Sequence, residues 1–167
     1  MLNLMILTGG QTGVDRAALD AAIACGIPYG GWCPEGGWAE DMTEPPGVLA
    51  LYPQLRATRS RDPTQRTEWN VLDADACLIL VDAGGVAVSG GTAVAEQLAL
   101  QYGKPSLVVD IGAENAISQV RDWLDAQMAA CTSDGPFRLA IGGPRESEAP
   151  GIYEKAGGLL RLVFDAL

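Results

Sequence analysis

Short apolar runs alternate with longer segments of mixed polarity along the chain. Four of the runs predict buried β-strands, at residues 4–8, 77–81, 106–109 and 137–141. Helical patterns follow them, at residues 14–25, 66–75, 92–102, 113–130 and about 153–166. Strands that alternate with helices predict an α/β fold, in which a mainly parallel sheet carries helices on both faces.

Residues 29–63 break this alternation. Gly, Pro, Trp and acidic residues dominate the segment, and little periodicity follows a short strand predicted near residues 27–32. Long irregular segments inside compact domains often cover a binding site. We therefore predict a single domain over residues 1–167 with an irregular, lid-like segment at about 29–63. Its Trp32 and Trp38 either stack on a planar ligand or pack the segment onto the domain.

Composition and net charge limit the partners and the catalytic chemistry that this chain can have. A net charge of −10, from 11 basic and 21 acidic side chains, argues against a nucleic-acid polymer as partner. The absence of histidine excludes Ser-His-Asp and Cys-His catalysis, and the four scattered cysteines form no CxxC pair, so we predict no metal held by the protein. The apolar start is too short for a signal sequence and no run could span a membrane, so we predict a cytoplasmic protein without a membrane partner.

A glycine-rich turn follows the first predicted strand and leads into a helix, whose N-terminus attracts anions. The turn matches neither the P-loop nor the dinucleotide-binding fingerprint, but its glycines let a ligand approach the backbone. We predict ligand contacts from Gly9, Gly10, Gln11, Thr12 and Gly13. The alternative is a simple reversal in which Thr12 caps the helix. Asp15 is either a ligand contact or a carboxylate favoured by the helix dipole.

A second turn, Ser89–Thr92, follows the strand at residues 77–81 and offers backbone amides and hydroxyl groups to a phosphate. We predict ligand contacts from Ser89, Gly90, Gly91 and Thr92, with Gly91 at a positive φ that lets the ligand reach the backbone. The alternative is that Ser89 or Thr92 only caps the helix. Glu96 shares a helix face with Thr92 and is either an acid or base near the site or a solvated carboxylate.

The third turn follows the strand at residues 137–141, and we predict ligand contacts from Gly143, Arg145, Glu146 and Ser147. Arg145 can bind phosphate in a bidentate manner, or it can pair with Glu146 or Glu148 at the surface. In the predicted helix at 66–75, Arg66 and Asn70 lie one turn apart. They either line the cleft, or Arg66 pairs only with Glu68 or Asp62.

Four segments together resemble the putative molybdenum carrier family, in order and over a span from about residue 4 to the C-terminus: Gly9–Asp15, Arg66–Val71, Ser89–Thr92 and Gly143–Ser147. That family groups with Rossmann-like molybdenum cofactor carriers and, more distantly, with lysine decarboxylase-like phosphoribohydrolases. The resemblance implies a Rossmann-like, doubly wound fold and homo-oligomers. It also implies a pocket for a phosphorylated small molecule, either molybdenum cofactor or a nucleotide.

Three functions follow from these features, and the third is a nucleotide sensor that acts through an oligomer interface. In the first, a carrier-like protein binds a phosphorylated heterocycle, pterin or nucleotide, through the three turns. In the second, a nucleoside monophosphate phosphoribohydrolase-type enzyme uses Glu96 or Asp15 to assist departure of the base. The phosphoribohydrolase motif Pro-Gly-Gly-x-Gly-Thr-x-x-Glu differs here, because one extra residue separates Thr92 from Glu96. A shift of one residue rotates a helical side chain by about 100°.

Overall fold

The computed structural model of the protein describes residues 3–167. Its strands are β1 (Leu4–Leu7), β2 (Tyr29–Gly30), β3 (Trp32–Cys33), β4 (Arg56–Ala57), β5 (Ala76–Val81), β6 (Ser106–Asp110) and β7 (Phe137–Gly142). Its α-helices are α1 (Val14–Ala24), α2 (Pro63–Asp73), α3 (Gly90–Gln101), α4 (Ala116–Ala130) and α5 (Ile152–Phe164). The long strands and the helices lie where the sequence predicts them, to within three residues at each end. The α/β fold is confirmed.

The central sheet has five strands in the order β2-β1-β7-β5-β6, and every neighbouring pair is parallel. The last strand of the chain, β7, lies in the middle of the sheet between β1 and β5. If the strands are counted from β5 and the count continues from the C-terminus to β1, their order in the sheet becomes 2-1-3-4-5. This is a common doubly wound order, here with the chain opened at a different loop.

Helices cover both faces of the sheet, as the alternation of strand residues requires. Leu78 and Leu80 of β5 point into the larger core, which α1, α4 and α5 close. Cys77 points to the opposite face, where α2 and α3 pack against each other and contribute Val71 and Ala99 to a smaller core. No helix in residues 3–167 is long and apolar enough to cross a membrane.

Residues 29–63 fold against α1 rather than projecting from the domain. Within this segment β3 and β4 form a separate two-stranded parallel sheet. A third apolar cluster joins the segment to α1 and consists of Leu19, Cys33, Ala39, Val48, Tyr52 and Leu55. The role of the segment as a lid stays a prediction.

The parallel sheet brings the three glycine-rich turns to one edge. Because β1, β5 and β7 run in the same direction, the turns that follow them all lie at the carboxyl edge of the sheet. The helix after β5 packs on one face and the helix after β7 on the other. A crevice therefore opens between the ends of β5 and β7, which is where doubly wound sheets bind their ligands.

Candidate anion-binding cleft

A cavity of about 190 Å³ lies at this crevice. The N-terminal turns of α2 and α3 form two of its walls, and the turns after β1 and β7 form the remainder. Its lining residues are Gln11, Asp15, Pro63, Thr64, Arg66, Thr67, Ser89, Gly90, Gly91, Thr92, Val94, Ala95, Gly142, Gly143 and Arg145. Two helix N-termini directed at one cavity give it a positive potential, which suits an anion.

The second turn presents unused hydrogen-bond donors to the cleft. Ser89 caps α3, because its Oγ accepts a hydrogen bond of 3.2 Å from the Thr92 amide. Within residues 3–167 no group accepts a hydrogen bond from the amides of Gly90 and Gly91. Thr92 is only 3% exposed, and its hydroxyl has no hydrogen-bond partner among residues 3–167. Buried polar groups are nearly always hydrogen-bonded, so the unpartnered Thr92 hydroxyl indicates a ligand, and the two exposed amides beside it are open to the same ligand.

One expectation about this turn is wrong. Gly91 does not have a positive φ, and neither does Gly90, because both residues already belong to α3. A Cβ at Gly90 would meet nothing within 4 Å, and one at Gly91 would meet only the Ser89 Oγ, at 3.9 Å. The two glycines therefore keep the mouth of the cleft open and do not serve a strained backbone.

Arg66 and Asp15 form a buried ion pair at the base of the cleft. The Arg66 Nη1 lies 3.2 Å from the Asp15 Oδ2, and the two side chains are 15% and 4% exposed. The Asp15 carboxylate also accepts a hydrogen bond of 3.3 Å from the Gln11 amide. Burial raises the pKa of Asp15, although the Arg66 charge and the Gln11 amide oppose this shift. Arg66 thus lines the cleft and pairs with neither of the two acidic residues suggested by the sequence.

The third turn contributes Gly143 and Arg145 to the cleft. The Arg145 guanidinium lies 4.0 Å from the Glu40 carboxylate and 5.7 Å from the centre of the Trp38 ring. Glu146 faces away from the cleft and caps α5, where its carboxylate accepts hydrogen bonds from the amides of Gly151 and Tyr153. The cation of this turn is thus partly neutralised by the irregular segment.

The first turn differs because other parts of the protein occupy its donors. The Gln11 amide binds Asp15, the Thr12 amide donates to the Gln11 Oε1 at 3.0 Å, and the Val14 amide donates to the Pro144 carbonyl at 3.3 Å. The Thr12 hydroxyl donates to the Glu40 carboxylate. The amides of Gln11, Thr12 and Val14 therefore have internal acceptors, whereas those of Gly10 and Gly13 have none in residues 3–167.

Several predicted contact residues lie outside the lining of the cleft. They are Gly9, Gly10, Thr12, Gly13, Glu146 and Ser147. Ser147 instead donates from its hydroxyl to the Glu40 carboxylate at 2.6 Å. Glu96 is half-buried on α3 and is not among the lining residues of the described chain, whereas its neighbour Ala95 is. A ligand-binding or catalytic role for these residues stays a prediction.

Sequence reasoning missed the N-terminal turn of α2, which supplies Pro63, Thr64 and Thr67 to the cleft. The helix was predicted to begin at residue 66, one turn too late. A signal was present, because Asp62 followed by proline is typical of a helix start. The Asp62 carboxylate accepts a hydrogen bond of 2.9 Å from the Thr64 amide, and Pro63 is the first helical residue.

The lining of the cleft supplies no metal site. Among residues 3–167 no group of three or more Cys, Asp and Glu side chains is placed to hold a metal ion, and the chain has no histidine. The donors that face the cavity are amides, hydroxyls and guanidinium groups. This donor set suits the oxygens of an anion.

Comparison with known proteins agrees with this architecture. Residues 6–164 match the model of the circularly permutated YpsA SLOG family, and the chain belongs to that family. A circular permutation is what the strand order shows, since counting from β5 restores the order 2-1-3-4-5.

A solved structure is similar over nearly the whole chain. It is the crystal structure of a putative molybdenum carrier protein from Syntrophus aciditrophicus SB, which is 38% identical, with 95% of this chain and 93% of that chain covered and a TM-score of 0.81. The resemblance to that class of protein, noted from the sequence, is confirmed. No curated protein matches the chain.

Proposed function

We propose that the protein binds a phosphorylated small molecule in the cleft, with the phosphate against the N-terminus of α3 and beside Arg66. The observation that carries this proposal is the group of unused donors: two free amides at Gly90 and Gly91 and the buried, unpartnered hydroxyl of Thr92. Leaving the buried Thr92 hydroxyl without a partner costs about 1–3 kcal/mol, so a bound anion would stabilise the site.

The remainder of the ligand is a heterocycle, either a pterin or a nucleotide. Similarity to a putative molybdenum carrier supports molybdenum cofactor as cargo. The donors of the cleft suit the phosphate of that cofactor, whereas no cysteine or histidine lines the cavity. The cofactor carries its own dithiolene ligands for the metal. The protein would therefore hold the cargo by its phosphate and leave the metal to the cofactor.

The surroundings of the cleft support two further parts of this proposal. The irregular segment at 29–63 acts as a lid, because Trp38 and Glu40 contact Arg145, which lines the cavity. The protein forms homo-oligomers, because apolar side chains on the α2–α3 face are exposed, including Leu100 at 81% and Leu72 at 42%.

A second function is favoured by one feature, the buried carboxyl group of Asp15 at the base of the cleft. Its raised pKa is typical of groups that transfer protons. In hydrolysis of a nucleoside monophosphate, water adds to the anomeric carbon, the N-glycosidic bond breaks and the departing base takes up a proton. Asp15 would accept the proton of the water or supply the proton to the base. Glu96 is the weaker candidate, because it lies outside the lining.

The test begins with mass spectrometry of small molecules released from the purified protein. Calorimetric titrations then compare nucleoside monophosphates with the corresponding nucleosides, and Gly158→Ala serves as a control because its Cβ would meet nothing within 4 Å on α5. We expect binding that requires the phosphate and is unchanged in the control. Equal affinity for nucleoside and nucleotide, or no binding of any phosphorylated compound, would contradict the proposal. Release of free base during incubation would favour the enzyme over the carrier.

A further inference from the structure

Arg66 reaches the base of the cleft through a gap that Gly9 leaves open. A Cβ added to Gly9 would lie 2.0 Å from the Arg66 Nη1, 2.5 Å from its Cζ and 2.9 Å from its Cδ. Three atoms along one side chain would clash, so the arginine lies along the Gly9 backbone and does not merely touch it with its tip. An alanine at position 9 would displace the guanidinium.

The Gly9 backbone does not itself require glycine. Its φ lies outside the left-handed region, in contrast to Gly10 and Gly13, which both have a φ of 76°. Any L-residue could adopt the conformation of Gly9, so the space taken by Arg66 is the reason for a glycine there. Gly9 is absent from the lining of the cleft and lines a smaller adjoining cavity, which shares Asp15 and Arg66 with the cleft.

Asp15 fixes the direction of the guanidinium. Its carboxylate is held by the Gln11 amide and binds the Nη1 of Arg66. This leaves the Nε–Nη2 edge of the arginine, whose two parallel N–H groups match two oxygens of a phosphate. The Arg66 Nε is buried and without a hydrogen-bond partner in residues 3–167, as is the hydroxyl of Thr92, and both residues line the cleft.

These five donors exceed the roughly four hydrogen bonds that the unsubstituted oxygens of a phosphodiester accept, at about two for each oxygen. The arginine edge supplies two N–H groups, Thr92 a hydroxyl, and Gly90 and Gly91 one amide each. A terminal phosphomonoester has three unsubstituted oxygens to accept such bonds, whereas a phosphodiester has two. The donor set therefore matches a phosphate at the end of a molecule.

We propose that Gly9 and Asp15 are positioning residues that hold Arg66 in place, and that the held guanidinium makes the cleft specific for terminal phosphomonoesters. The inference rests on the proposed function and deepens it. Gly9 leaves room for the Arg66 side chain because it has no Cβ, and Asp15 orients Arg66 through their ion pair.

The test is a double-mutant cycle in the full chain, read by calorimetric titration with ribose 5-phosphate, inorganic phosphate and dimethyl phosphate. Gly9→Ala and Arg66→Lys should each weaken the binding of ribose 5-phosphate by about 10- to 100-fold, since each disrupts a charged, bidentate contact. In an Arg66→Ala background, Gly9→Ala should cause no further loss, because the added methyl group then has room. Gly158→Ala on the exposed side of α5 should bind as the wild type does.

The outcomes separate this inference from the proposed function. If the wild type binds neither ribose 5-phosphate nor a nucleoside monophosphate, the proposed function fails and the inference fails with it. If the wild type binds and Gly91→Val abolishes binding, but Gly9→Ala and Arg66→Lys bind normally, only the inference is overturned. An equal effect of Gly9→Ala in both backgrounds would also overturn it, as would dimethyl phosphate bound as tightly as ribose 5-phosphate.

The cycle also covers the case in which Gly9→Ala does not fold by itself. The double variant with Arg66→Ala should then recover the folded state, because the three atoms nearest to the added Cβ all belong to Arg66. A double variant that stays unfolded although Arg66→Ala folds by itself would contradict the role assigned to Gly9.

Discussion

The first and second glycine-rich turns look alike in sequence and differ in their use of backbone donors. Each has two adjacent glycines after a buried strand, and each leads to a helix. In the first turn the amides of Gln11, Thr12 and Val14 all have acceptors within the protein. In the second turn the amides of Gly90 and Gly91 have none in the described chain. A glycine pair thus marks a close approach to the backbone without identifying what approaches.

The surroundings of the turns explain the difference. The first turn is enclosed by α2, by the third turn and by the irregular segment, which supply Arg66, Pro144 and Glu40 to it. The second turn begins a helix whose first two residues are exposed and face the cleft. The first turn is therefore a structural junction around an internal anion, Asp15, and the second is the open anion site.

The largest expected effect is on the free energy of unfolding, which should respond differently to substitution of a glycine in the first turn and in the second. Gly13 has a φ of 76°, and a Cβ there would lie 2.3 Å from the Pro144 carbonyl oxygen. We expect Gly13→Ala to lower the free energy of unfolding by about 3 kcal/mol or more, through strain and overlap together. Gly90→Ala, in open space, should change it by less than about 0.5 kcal/mol. Urea unfolding of both variants measures the difference, and similar values would remove the distinction between the turns.

Ligand affinity should be more sensitive to a glycine substitution in the second turn than to one in the first. Gly91→Val places a β-branched side chain at the mouth of the cleft, where we expect it to block the phosphate and to weaken binding by about 1.5–3 kcal/mol. Its stability should change little, because the Cβ meets only the Ser89 Oγ at 3.9 Å. Calorimetry and thermal unfolding of the same sample test both statements. A folded Gly91→Val with full affinity would make the second turn a plain reversal like the first.

The internal character of the first turn can be tested through Glu40. Partial burial opposes ionisation, but hydrogen bonds from Ser147 and Thr12 and the charge of Arg145 lower the pKa of Glu40 below its ordinary value of 4.5. The stabilisation is then present above that value and lost as the pH falls through the lower, folded-state pKa. We expect Glu40→Gln to cost about 1 kcal/mol of unfolding free energy at neutral pH and progressively less in acid.

Urea unfolding of Glu40→Gln and the wild type across the acid range measures this effect. Glu35→Gln is a suitable control, because the Glu35 carboxylate is exposed and pairs with the exposed Arg61, at 3.9 Å. A cost for Glu40→Gln that is the same at every pH would contradict the account of the junction.

Arg145 should have the smallest effect. It lines the cleft but is already close to Glu40, so part of its charge is compensated within the protein. We expect Arg145→Ala to weaken phosphate binding by about 1 kcal/mol, with an effect that shrinks at high salt. Titrations at two ionic strengths measure it. A loss larger than that of Gly91→Val would move the centre of the site from the second turn to the third.

The sequence was sufficient to predict the fold and the edge at which the site lies. Apolar runs and helical periodicity located β5, β7 and most helices, and parallel strands then required the three turns to share an edge. It was insufficient to distinguish the turns, because several side chains that contact the first turn come from distant segments. Glu40 lies 28 residues from Thr12 in the chain, and Asp15 lies 51 residues from Arg66. Such pairings depend on tertiary packing.

The reason for a glycine at position 9 could not be predicted from the sequence either, because it also depends on tertiary packing. A glycine after a strand is typical of a ligand approach, and nothing local to Gly9 shows that the space belongs to an arginine on α2. The late start predicted for α2 had a different cause. The Asp62–Pro63 signal is local, whereas the helical periodicity itself begins only at residue 66.

The most direct test of the central claim is a crystal structure of the protein soaked with ribose 5-phosphate. The account predicts the phosphate group within hydrogen-bond distance of the Gly90 and Gly91 amides and the Thr92 hydroxyl, with Arg66 still bound to Asp15. A phosphate bound instead to the amides of Gln11 and Thr12, with Asp15 displaced, would contradict it.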